Sequence, residues 1–441
     1  MILMQVNYKL IKSVQVQSVL LLASSYFFYG WWDWRFLGLI FAVSAQTYIA
    51  AYFIHYHKRI KNFCLVISIL INLAVLVYFK YAGFFVSEFV NAFNIDSNFS
   101  LENIILPVGI SFYIFQSFTY VIDVFSGKML PEKDPIKYFT FISFFPQLVA
   151  GPIERASSLL PQFKTIKGIE AANFYTGLKI IIIGLFLKVF IADSIAPMVD
   201  MIFSGYQNYN GGTLLLGAIG FMIQIYGDFA GYSLIAIGVA KILGFSLMKN
   251  FNTPYFATSI QDFWRRWHIS LSSFFRDYVY IPFGGSRRSE GVTRRNLLLT
   301  FSVSGLWHGA NWTFVFWGVA HGLLLIFQRV ASVSLHRFLG WLATMVVVLL
   351  LWVLFRSDSL YDFYSYVEII IFNPGLPEVG RRIAVFVIYY FALDLVLLYY
   401  SEQGNSWFSS DIFESISLAV MIVLVVGTIH DETQNFIYFQ F

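Results

Sequence analysis

The chain has 441 residues, of which 58% are hydrophobic, 20% aromatic and only 12% charged, and its formal net charge is +4. Soluble globular domains carry about 25% charged residues, so this composition excludes an ordinary soluble enzyme or binding module. A spanning helix needs about 20 apolar residues, which leaves room for roughly 10 to 12 spans. The apolar runs are too long and uniform for the alternating strands of a membrane barrel. The sequence therefore predicts an all-α, polytopic integral membrane protein.

Cysteine and metal chemistry are nearly absent from the sequence. Cys64 is the single cysteine and lies within an apolar run, so no disulfide can form within the chain and no cysteine-based metal site is expected. We expect no metal, no tightly bound cofactor and no nucleic-acid partner. We also expect no removable signal peptide, because no small-residue cleavage site follows the first apolar run.

Spans are predicted at about 16–29, 36–54 and 63–85, and a fourth begins near Pro107. The basic cluster around 55–61 indicates a cytoplasmic loop, since Lys and Arg are enriched in loops on that side. The segment 138–150 is too short to span, and the Gly-Pro pair after it breaks the helix. Irregular backbone at membrane depth must be covered by protein or line a cavity, so this segment is predicted to be re-entrant or interfacial.

Further apolar runs lie at about 174–191 and 213–227. The second meets the glycine-rich stretch 226–232, which we interpret as a polar break in the span. Asp228, in that stretch, is either the buried partner of a cation or part of a polar passage. Later spans are predicted near 339–355, 383–400 and 416–429.

The stretch 254–295 is the least membrane-like part of the chain, and it is strongly basic. Its seven arginines are Arg265, Arg266, Arg276, Arg287, Arg288, Arg294 and Arg295. They either anchor the protein on anionic lipid or form a cytoplasmic docking surface for a phosphate-bearing or acidic donor, which guanidinium groups bind bidentately. His268 lies in the same stretch as either an interfacial histidine or a second site residue.

His308 is the strongest candidate for a functional residue. It lies in the apolar run 304–325, where an ionisable side chain is expensive to bury and therefore indicates function. If the run is one helix, Ser304, Asn311 and Trp312 share a face with the imidazole. Gly305 and Gly309 would let another backbone or a substrate approach it. His321, further along the run, is predicted to point elsewhere and to be structural.

These features together resemble the membrane-bound O-acyltransferase family, in its bacterial polysaccharide branch of alginate and peptidoglycan O-acetylation proteins. The most specific match is Leu306-Trp307-His308-Gly309, followed by Ala310-Asn311-Trp312. The other matching stretches are Leu106-Pro107-Val108-Gly109, Gly151-Pro152-Ile153-Glu154-Arg155 with Leu160-Pro161-Gln162-Phe163, the stretch at Asp228, and Arg266-Trp267-His268-Ile269-Ser270. They are spread in order over most of the chain, which favours one family domain over 1–441.

The resemblance implies a tunnel between the two membrane faces, lined by His308 as the essential histidine. It implies that His268 is a second polar residue near the cytoplasmic mouth. The aromatic tail 431–441 resembles a terminal acyl-transfer motif, in which Tyr438 would carry the acyl group. The chain departs from the family in having fewer residues before the first span. Its late positive charges, Arg381 and Arg382, favour a cytoplasmic C-terminus, whereas the resemblance implies an outer one.

The resemblance leads to a specific expectation for the chemistry. A thioester donor, acetyl-CoA or another acyl thioester, docks at the arginine-rich cytoplasmic face, where Arg265 and Arg266 bind it. His308, kept neutral by burial, acts as general base toward Tyr438, and Asn311 or a backbone N–H near Gly309 stabilises the oxyanion.

An extracytoplasmic SGNH-hydrolase-like partner then passes acetyl to a polysaccharide, at the bacterial cytoplasmic membrane. Membrane lipids surround the multi-pass chain and are its other expected contacts. Two alternatives stay open: acylation of a lipid or protein hydroxyl, and a proton-coupled transporter that uses the buried aspartates and histidines.

Overall fold

The computed structural model describes residues 13–93, 104–331, 336–403 and 411–428. All regular structure in these residues is helical, and no strand occurs among them. They fall into two units. The first combines Met1–Leu178 with Ala236–Met248, and the second combines Lys179–Ile235 with Lys249–Phe441.

Within the described residues, the first unit contains eight complete α-helices, the beginning of a ninth and the last turns of the long helix Gly211–Ile242. The helices are α1 (Val14–Asp33), α2 (Leu37–Tyr56), α3 (Lys61–Leu76), α4 (Ala82–Phe93), α5 (Ile110–Phe125), α6 (Pro135–Ser143), α7 (Phe145–Leu148), α8 (Ala156–Leu159) and α9 (Ala171–Leu185). Short 3₁₀ turns at Trp34–Phe36 and Leu160–Lys164 and a π turn at Val77–Tyr81 connect some of them. The broken helices α6 and α7 confirm that 138–150 forms no long helix, while its depth in a membrane stays a prediction.

Buried polar contacts connect segments of the first unit that are distant in sequence. They fix the positions of these segments along one another, which apolar packing alone would not do. The Gln17 amide donates to the Lys167 carbonyl at 2.8 Å and accepts the Lys167 N–H at 3.0 Å. The buried Glu154 carboxylate accepts the N–H of Met248, which belongs to the second stretch of this unit. Burial raises the pKa of Glu154 to about 7, against the opposing effects of that hydrogen bond and of Arg155.

The second unit contains the end of α9 and the remaining helices. These are α10 (Ser194–Ser204), most of α11 (Gly211–Ile242), α12 (Ile260–Arg266), α13 (Ile269–Phe275), α14 (Glu290–His308), α15 (Trp312–Ala331), α16 (Arg337–Arg356), α17 (Leu360–Phe372), α18 (Arg381–Gln403) and α19 (Asp411–Gly427). Its short elements are π turns at Phe186–Asp193 and Arg276–Tyr280 and 3₁₀ turns at Tyr206–Asn208 and Pro254–Phe256.

Six helical stretches of the described chain are long and apolar enough to cross a membrane. They are Val14–Tyr56, Lys61–Val90, Ala171–Ser204, Gly211–Ile242, Trp312–Ala331 and Arg337–Arg356. The first has 43 residues and contains two helices, α1 and α2. The prediction of an all-α, multi-pass membrane protein is confirmed.

The predicted break at 226–232 is wrong, because α11 continues through it without interruption. The glycines there serve close packing instead of a turn. A side chain at Gly231 would meet the Gly184 carbonyl oxygen at 2.7 Å, and one at Gly227 would meet the Leu187 carbonyl oxygen at 3.0 Å. Helix α11 therefore lies against the backbone of α9 and the π turn that follows it.

Asp228 is the buried partner of a cation, which answers the alternative that the sequence left open. The Lys188 Nζ lies 2.7 Å from Asp228 and 2.7 Å from Asp193, and the lysine side chain is 8% exposed. A buried charge that loses its partner is strongly destabilising, so this cluster ties the π turn to α11.

The predicted single helix over 304–325 is also wrong. Helix α14 ends at His308, Gly309 is extended with φ −159° and ψ 155°, and α15 begins at Trp312. The two helices fold back on each other as a hairpin. A Cβ at Gly318 would overlap the carbonyl oxygen of Phe301 and lie 3.0 Å from the Cα of Gly305, so the crossing requires glycine.

Candidate functional site: two buried histidines beside a cavity lined by arginines

His308 lies at the C-terminal end of α14, at the turn of the hairpin, and is 2% exposed. Aromatic rings surround its imidazole. The ring centroids of Trp307, Trp317 and Phe355 lie 4.9, 5.1 and 5.6 Å from it. The imidazole is therefore held in a largely apolar pocket.

The two glycines beside His308 have different roles. Gly305 lies at the close crossing of α14 and α15, so another backbone approaches it, as the sequence allowed. A Cβ at Gly309 would overlap the ring of Phe314, so that glycine is needed for the ring to close over the turn. Both glycines therefore permit the close packing of the hairpin next to His308.

The predicted helix face around His308 is only partly present. Ser304 lies four residues earlier on α14, as expected, and it is buried. Asn311 and Trp312 lie beyond the helix end, and Trp312 is 48% exposed. The Asn311 side chain accepts the Thr313 N–H at 3.1 Å and donates to the Asp358 carbonyl at 2.9 Å. Asn311 therefore begins α15 and ties the turn to the segment after α16.

His268 connects α12 to α13 and is fully buried. Its backbone is in the left-handed region, with φ 42°, which is uncommon for a residue other than glycine. Its Nδ1 lies 3.1 Å from the Asn250 side-chain oxygen. Its Nε2 is buried and has no hydrogen-bond partner within the described ranges. Burial lowers its pKa to about 3, so the imidazole is neutral near neutral pH.

The structure brings His268 and His308 to the same indole. The ring of Trp307 lies 6.1 Å from the His268 ring and 4.9 Å from the His308 ring, by their centroids. A small group bound at Trp307 would therefore be close to both imidazoles. This juxtaposition is the geometry expected of two polar residues serving one reaction centre.

His321 lies across the hairpin from His308, on α15, and its contacts are structural ones. Its Nδ1 accepts the indole N–H of Trp264 at 3.2 Å. The ring of Trp317 separates it from His308, at 4.7 Å from His321 and 5.1 Å from His308. It remains a structural residue in our interpretation, now with an identified partner.

A cavity of about 650 Å³ opens in the second unit between α12, α13, α14 and α15. The residues that line it include Trp264, Arg265, Ile269, Ser272, Arg276, Tyr280, Thr300, Ser304, Gln328 and Arg329. Three guanidinium groups from three different elements therefore line one cavity. Ser304, also part of its wall, lies one helical turn before His308.

The two arginines predicted to bind substrate differ in their surroundings. Arg265 lines the cavity, and no carboxylate of the described residues lies within ion-pair distance of it. Arg266 pairs with Asp262 at 2.9 Å and does not line the cavity. Arg276 and Arg329, which were not singled out as binding residues, line it together with Arg265.

A second cavity, of about 380 Å³, lies where α10 and α16 end. Its wall includes Tyr206, Arg356, Asp358, Asp362 and Tyr366. Asp358 is the residue whose carbonyl accepts from Asn311. Along the hairpin, His308 therefore lies between Ser304, at the first cavity, and Asn311, which is bonded to the wall of the second.

Several residues near the two histidines could not have been selected by motif alone. Asn250 lies 18 positions before His268, and Phe355 belongs to α16. The available signal for Asn250 was a polar residue among aromatic ones just before Pro254.

Tyr438 and the tail 431–441 lie outside the described residues. No group of three His, Cys, Asp or Glu residues within the described ranges is placed to hold a metal ion.

Comparison with known proteins gives consistent matches over most of the chain. The membrane-bound O-acyltransferase family description matches residues 130–367. A probable alginate O-acetylase of Azotobacter vinelandii is 41% identical over 78% of this chain and 70% of its own length. A peptidoglycan O-acetyltransferase of Helicobacter pylori is 36% identical over 77% of this chain and 71% of its own. A teichoic acid D-alanyltransferase of Bacillus subtilis is 32% identical over 51% of this chain and 59% of its own.

The helical fold, the buried histidines and these relatives together define a multi-pass membrane acyltransferase. The chain belongs to the membrane-bound O-acyltransferase family, as its motifs predicted.

Proposed function

We propose that this enzyme moves an acetyl group from a cytoplasmic thioester donor, acetyl-CoA or a related acyl thioester, across the bacterial cytoplasmic membrane. The acceptor is an extracytoplasmic polysaccharide of the peptidoglycan or alginate kind. The observation that carries the proposal is the position of His308. It is buried one helical turn beyond Ser304, and Ser304 lies in the wall of the arginine-lined cavity. The names of its relatives, alginate O-acetylase and peptidoglycan O-acetyltransferase, support the acceptor class.

The arginine-lined cavity suits a phosphate-bearing thioester. Its volume of about 650 Å³ lies in the range of about 300 to 1,000 Å³ that small-molecule sites occupy. Guanidinium groups bind phosphate through paired, charge-assisted hydrogen bonds. The donor's phosphates would bind Arg265, Arg276 and Arg329, while its acyl end reaches past Ser304 toward His308.

In the transfer step, the hydroxyl of Tyr438 attacks the carbonyl carbon of the thioester. His308 accepts the phenolic proton as the new C–O bond forms, and Asn311 or a backbone N–H near Gly309 stabilises the oxyanion. The C–S bond then breaks, and the proton on His308 passes to the departing thiolate. The products are an acetyl-tyrosine ester and a free thiol, with His308 returned to its neutral form.

The second cavity is a candidate for the exit side of the reaction. Its wall carries Tyr206, Arg356 and Asp362, groups that can hydrogen-bond to sugar hydroxyls or to a protein partner. We propose that an SGNH-hydrolase-like protein outside the membrane takes the acetyl group there and delivers it to the polysaccharide. Asn311, fixed to Asp358, would then hold the turn that separates the two sides.

The experiment that tests this function measures base-labile acetate on isolated peptidoglycan and on secreted polysaccharide. We compare cells making the wild type, His308→Ala, or His57→Ala as the matched control, since His57 is exposed and distant in sequence. Loss of a general base lowers the rate by about 10² to 10⁴-fold, so His308→Ala should remove the acetate from one fraction. The control should leave it unchanged.

Unchanged acetate in both fractions, with equal amounts of His308→Ala protein in the membrane, would refute the polysaccharide function and favour a lipid or protein acceptor. Tyr438→Phe tests the relay separately. It should remove transfer as completely as His308→Ala, because a phenyl ring has no nucleophilic oxygen. Full transfer by Tyr438→Phe would replace the relay with direct transfer to the final acceptor.

A further inference from the structure

Asn250 lies at the centre of a hydrogen-bond network around His268. It is 1% exposed, and its side-chain oxygen lies 3.1 Å from the His268 Nδ1. The same oxygen accepts from the Ser270 N–H at 3.2 Å and from the Ser270 hydroxyl at 2.9 Å. Its amide nitrogen donates to the Ser233 hydroxyl at 3.0 Å. The Asn250 main-chain carbonyl also accepts the Ile269 N–H at 2.8 Å. Asn250 therefore holds the backbone directly after His268.

This network determines which nitrogen of His268 carries the proton. A backbone N–H can only donate, so the Asn250 atom that faces Ser270 must be its oxygen. That oxygen also faces the His268 Nδ1. Two lone pairs would repel each other at 3.1 Å, so Nδ1 carries the hydrogen and donates it. The Ser270 hydroxyl is directed at the shorter contact, to Asn250, and leaves its own lone pair toward Nδ1.

It follows that the other nitrogen of His268 is an acceptor. A neutral imidazole has one N–H, and when Nδ1 holds it, Nε2 carries a lone pair. Nε2 is buried and has no hydrogen-bond partner in the part of the chain that the structure describes. A buried acceptor without a partner carries a desolvation penalty, which a bound N–H or O–H group would remove.

We propose that Asn250 is a positioning residue, which fixes His268 as the Nδ1–H tautomer so that Nε2 accepts a hydrogen bond from a neutral N–H or O–H group of the substrate bound beside Trp307. This inference rests on the proposed function, because it assumes that the reacting molecule reaches the two histidines. The left-handed backbone of His268 is part of the same arrangement. Such conformations persist where surrounding contacts enforce them, and the Asn250 contacts surround His268 here.

The test combines a tautomer measurement with kinetics on the full-length protein in lipid. The chain is labelled with ¹⁵N-histidine, and the His268 signals are assigned by their loss in His268→Gln. In the wild type the protonated nitrogen should be Nδ1. Asn250→Leu removes the acceptor and should give a mixture of tautomers, whereas Asn250→Asp keeps an oxygen at Nδ1 and should retain the wild-type one. A wild-type His268 protonated at Nε2 would overturn the proposal.

Acetyl transfer from acetyl-CoA is measured on the same proteins. Residues that orient a functional histidine through hydrogen bonds contribute about 10- to 100-fold to activity, as in metal sites, so Asn250→Leu should lose that much and Asn250→Asp should recover part of it. A raised KM for acetyl-CoA at unchanged kcat would identify an amide N–H of the donor as the group bound to Nε2. A lowered kcat at unchanged KM would identify the attacking hydroxyl.

Asn72→Leu is the matched control, since Asn72 is also fully buried but lies in the first unit, on α3. It should leave both the His268 tautomer and the transfer kinetics as in the wild type. If Asn250→Leu folds normally and is as active as the wild type, the positioning role is refuted. A wild type that shows the Nδ1–H tautomer but transfers no acetyl would instead refute the proposed function, which keeps the two failures distinct.

Discussion

At the scale of the residue, the buried histidines differ in which nitrogen can act. The Trp264 indole can only donate, so the Nδ1 of His321 must carry a lone pair. The Asn250 oxygen requires the opposite at His268, where Nδ1 donates and Nε2 accepts. His321 thus uses its accepting nitrogen within the fold. His268 Nε2 is buried and makes no hydrogen bond within the described residues, as the positioning role proposed for Asn250 requires.

Glu154 gives a prediction about pH at the same scale. The pKa of this carboxyl is raised to about 7 by burial, above its ordinary value of about 4.5. Between those two values the folded state holds a proton that the unfolded state has released, so stability falls as pH rises through this window. Well above pH 7 both states are ionised and the loss is complete. The apparent Tm of the wild type should therefore drop between pH 5 and 7.5.

Glu154→Gln is the matched variant for that measurement. The amide oxygen still accepts the Met248 N–H, but the side chain cannot ionise. The variant should be the more stable protein at pH 7.5, and the difference should shrink toward pH 5. Parallel Tm profiles of the two proteins across this range would show that Glu154 does not titrate in the window.

At the scale of the element, the hairpin of α14 and α15 determines where His308 lies. We predict that Gly318→Ala lowers the Tm by several degrees and reduces acetyl transfer, because the added Cβ overlaps the Phe301 carbonyl and forces the helices apart. Gly291→Ala is the control, since a Cβ there meets no atom within 4 Å. In a helix Ala is favoured over Gly by about 1 kcal/mol, so the control should be unchanged or slightly more stable.

Both variants are measured by thermal unfolding of the purified protein at one scan rate. If Gly318→Ala and Gly291→Ala unfolded at the same temperature, the helices would have to separate without a loss of packing. That outcome would contradict the close crossing at Gly305 and would remove the structural reason for the fixed position of His308.

Hydrophobic pattern predicted the apolar helices well, because each spanning helix must bury its own backbone hydrogen bonds and is therefore a long apolar run. The pattern failed where glycine can indicate either a break in a helix or close packing between helices. At 226–232 glycines were interpreted as a break but serve close helix packing. Gly309 was placed within one helix, although the chain turns there. Asn311, a favourable residue at a helix start, was the available signal for that turn.

The site was predicted less completely than the helices for a physical reason. His308 could be selected because an ionisable residue in an apolar run is unusual, and His268 because the resemblance implied a second polar residue there. Asn250 and Phe355 belong to separate stretches of the chain, and Trp317 lies on the helix beyond the unpredicted turn at Gly309. Only tertiary packing brings them to the imidazoles, and no spacing along the sequence contains that information.

At the scale of the whole molecule, the basic stretch can now be divided by position. Its arginines were predicted to serve either lipid anchoring or donor docking, and the structure places them in different surroundings. Arg265 and Arg276 line the cavity beside α14, joined by Arg329 from α15. Arg287 and Arg288 are exposed and do not contribute to its wall. We therefore expect docking to depend on the first group and lipid contact on the second.

The last prediction follows from this division. Arg276 pairs with Asp277 and Arg329 pairs with Glu290, so each has part of its charge satisfied within the protein. Within the described ranges Arg265 has no such ion pair. It should therefore contribute most to binding an anionic donor.

We predict that Arg265→Gln raises the KM for acetyl-CoA about tenfold, which corresponds to about 1.4 kcal/mol, with little change in kcat. Arg287→Gln, the matched control, should change neither. The effect of Arg265→Gln should weaken as salt rises from 0.1 to 1 M, because the Debye length shrinks from about 10 to 3 Å. A lowered kcat at unchanged KM would instead place Arg265 in the chemical step. Equal effects of the two variants would mean that the basic stretch acts only through its net charge at the membrane surface.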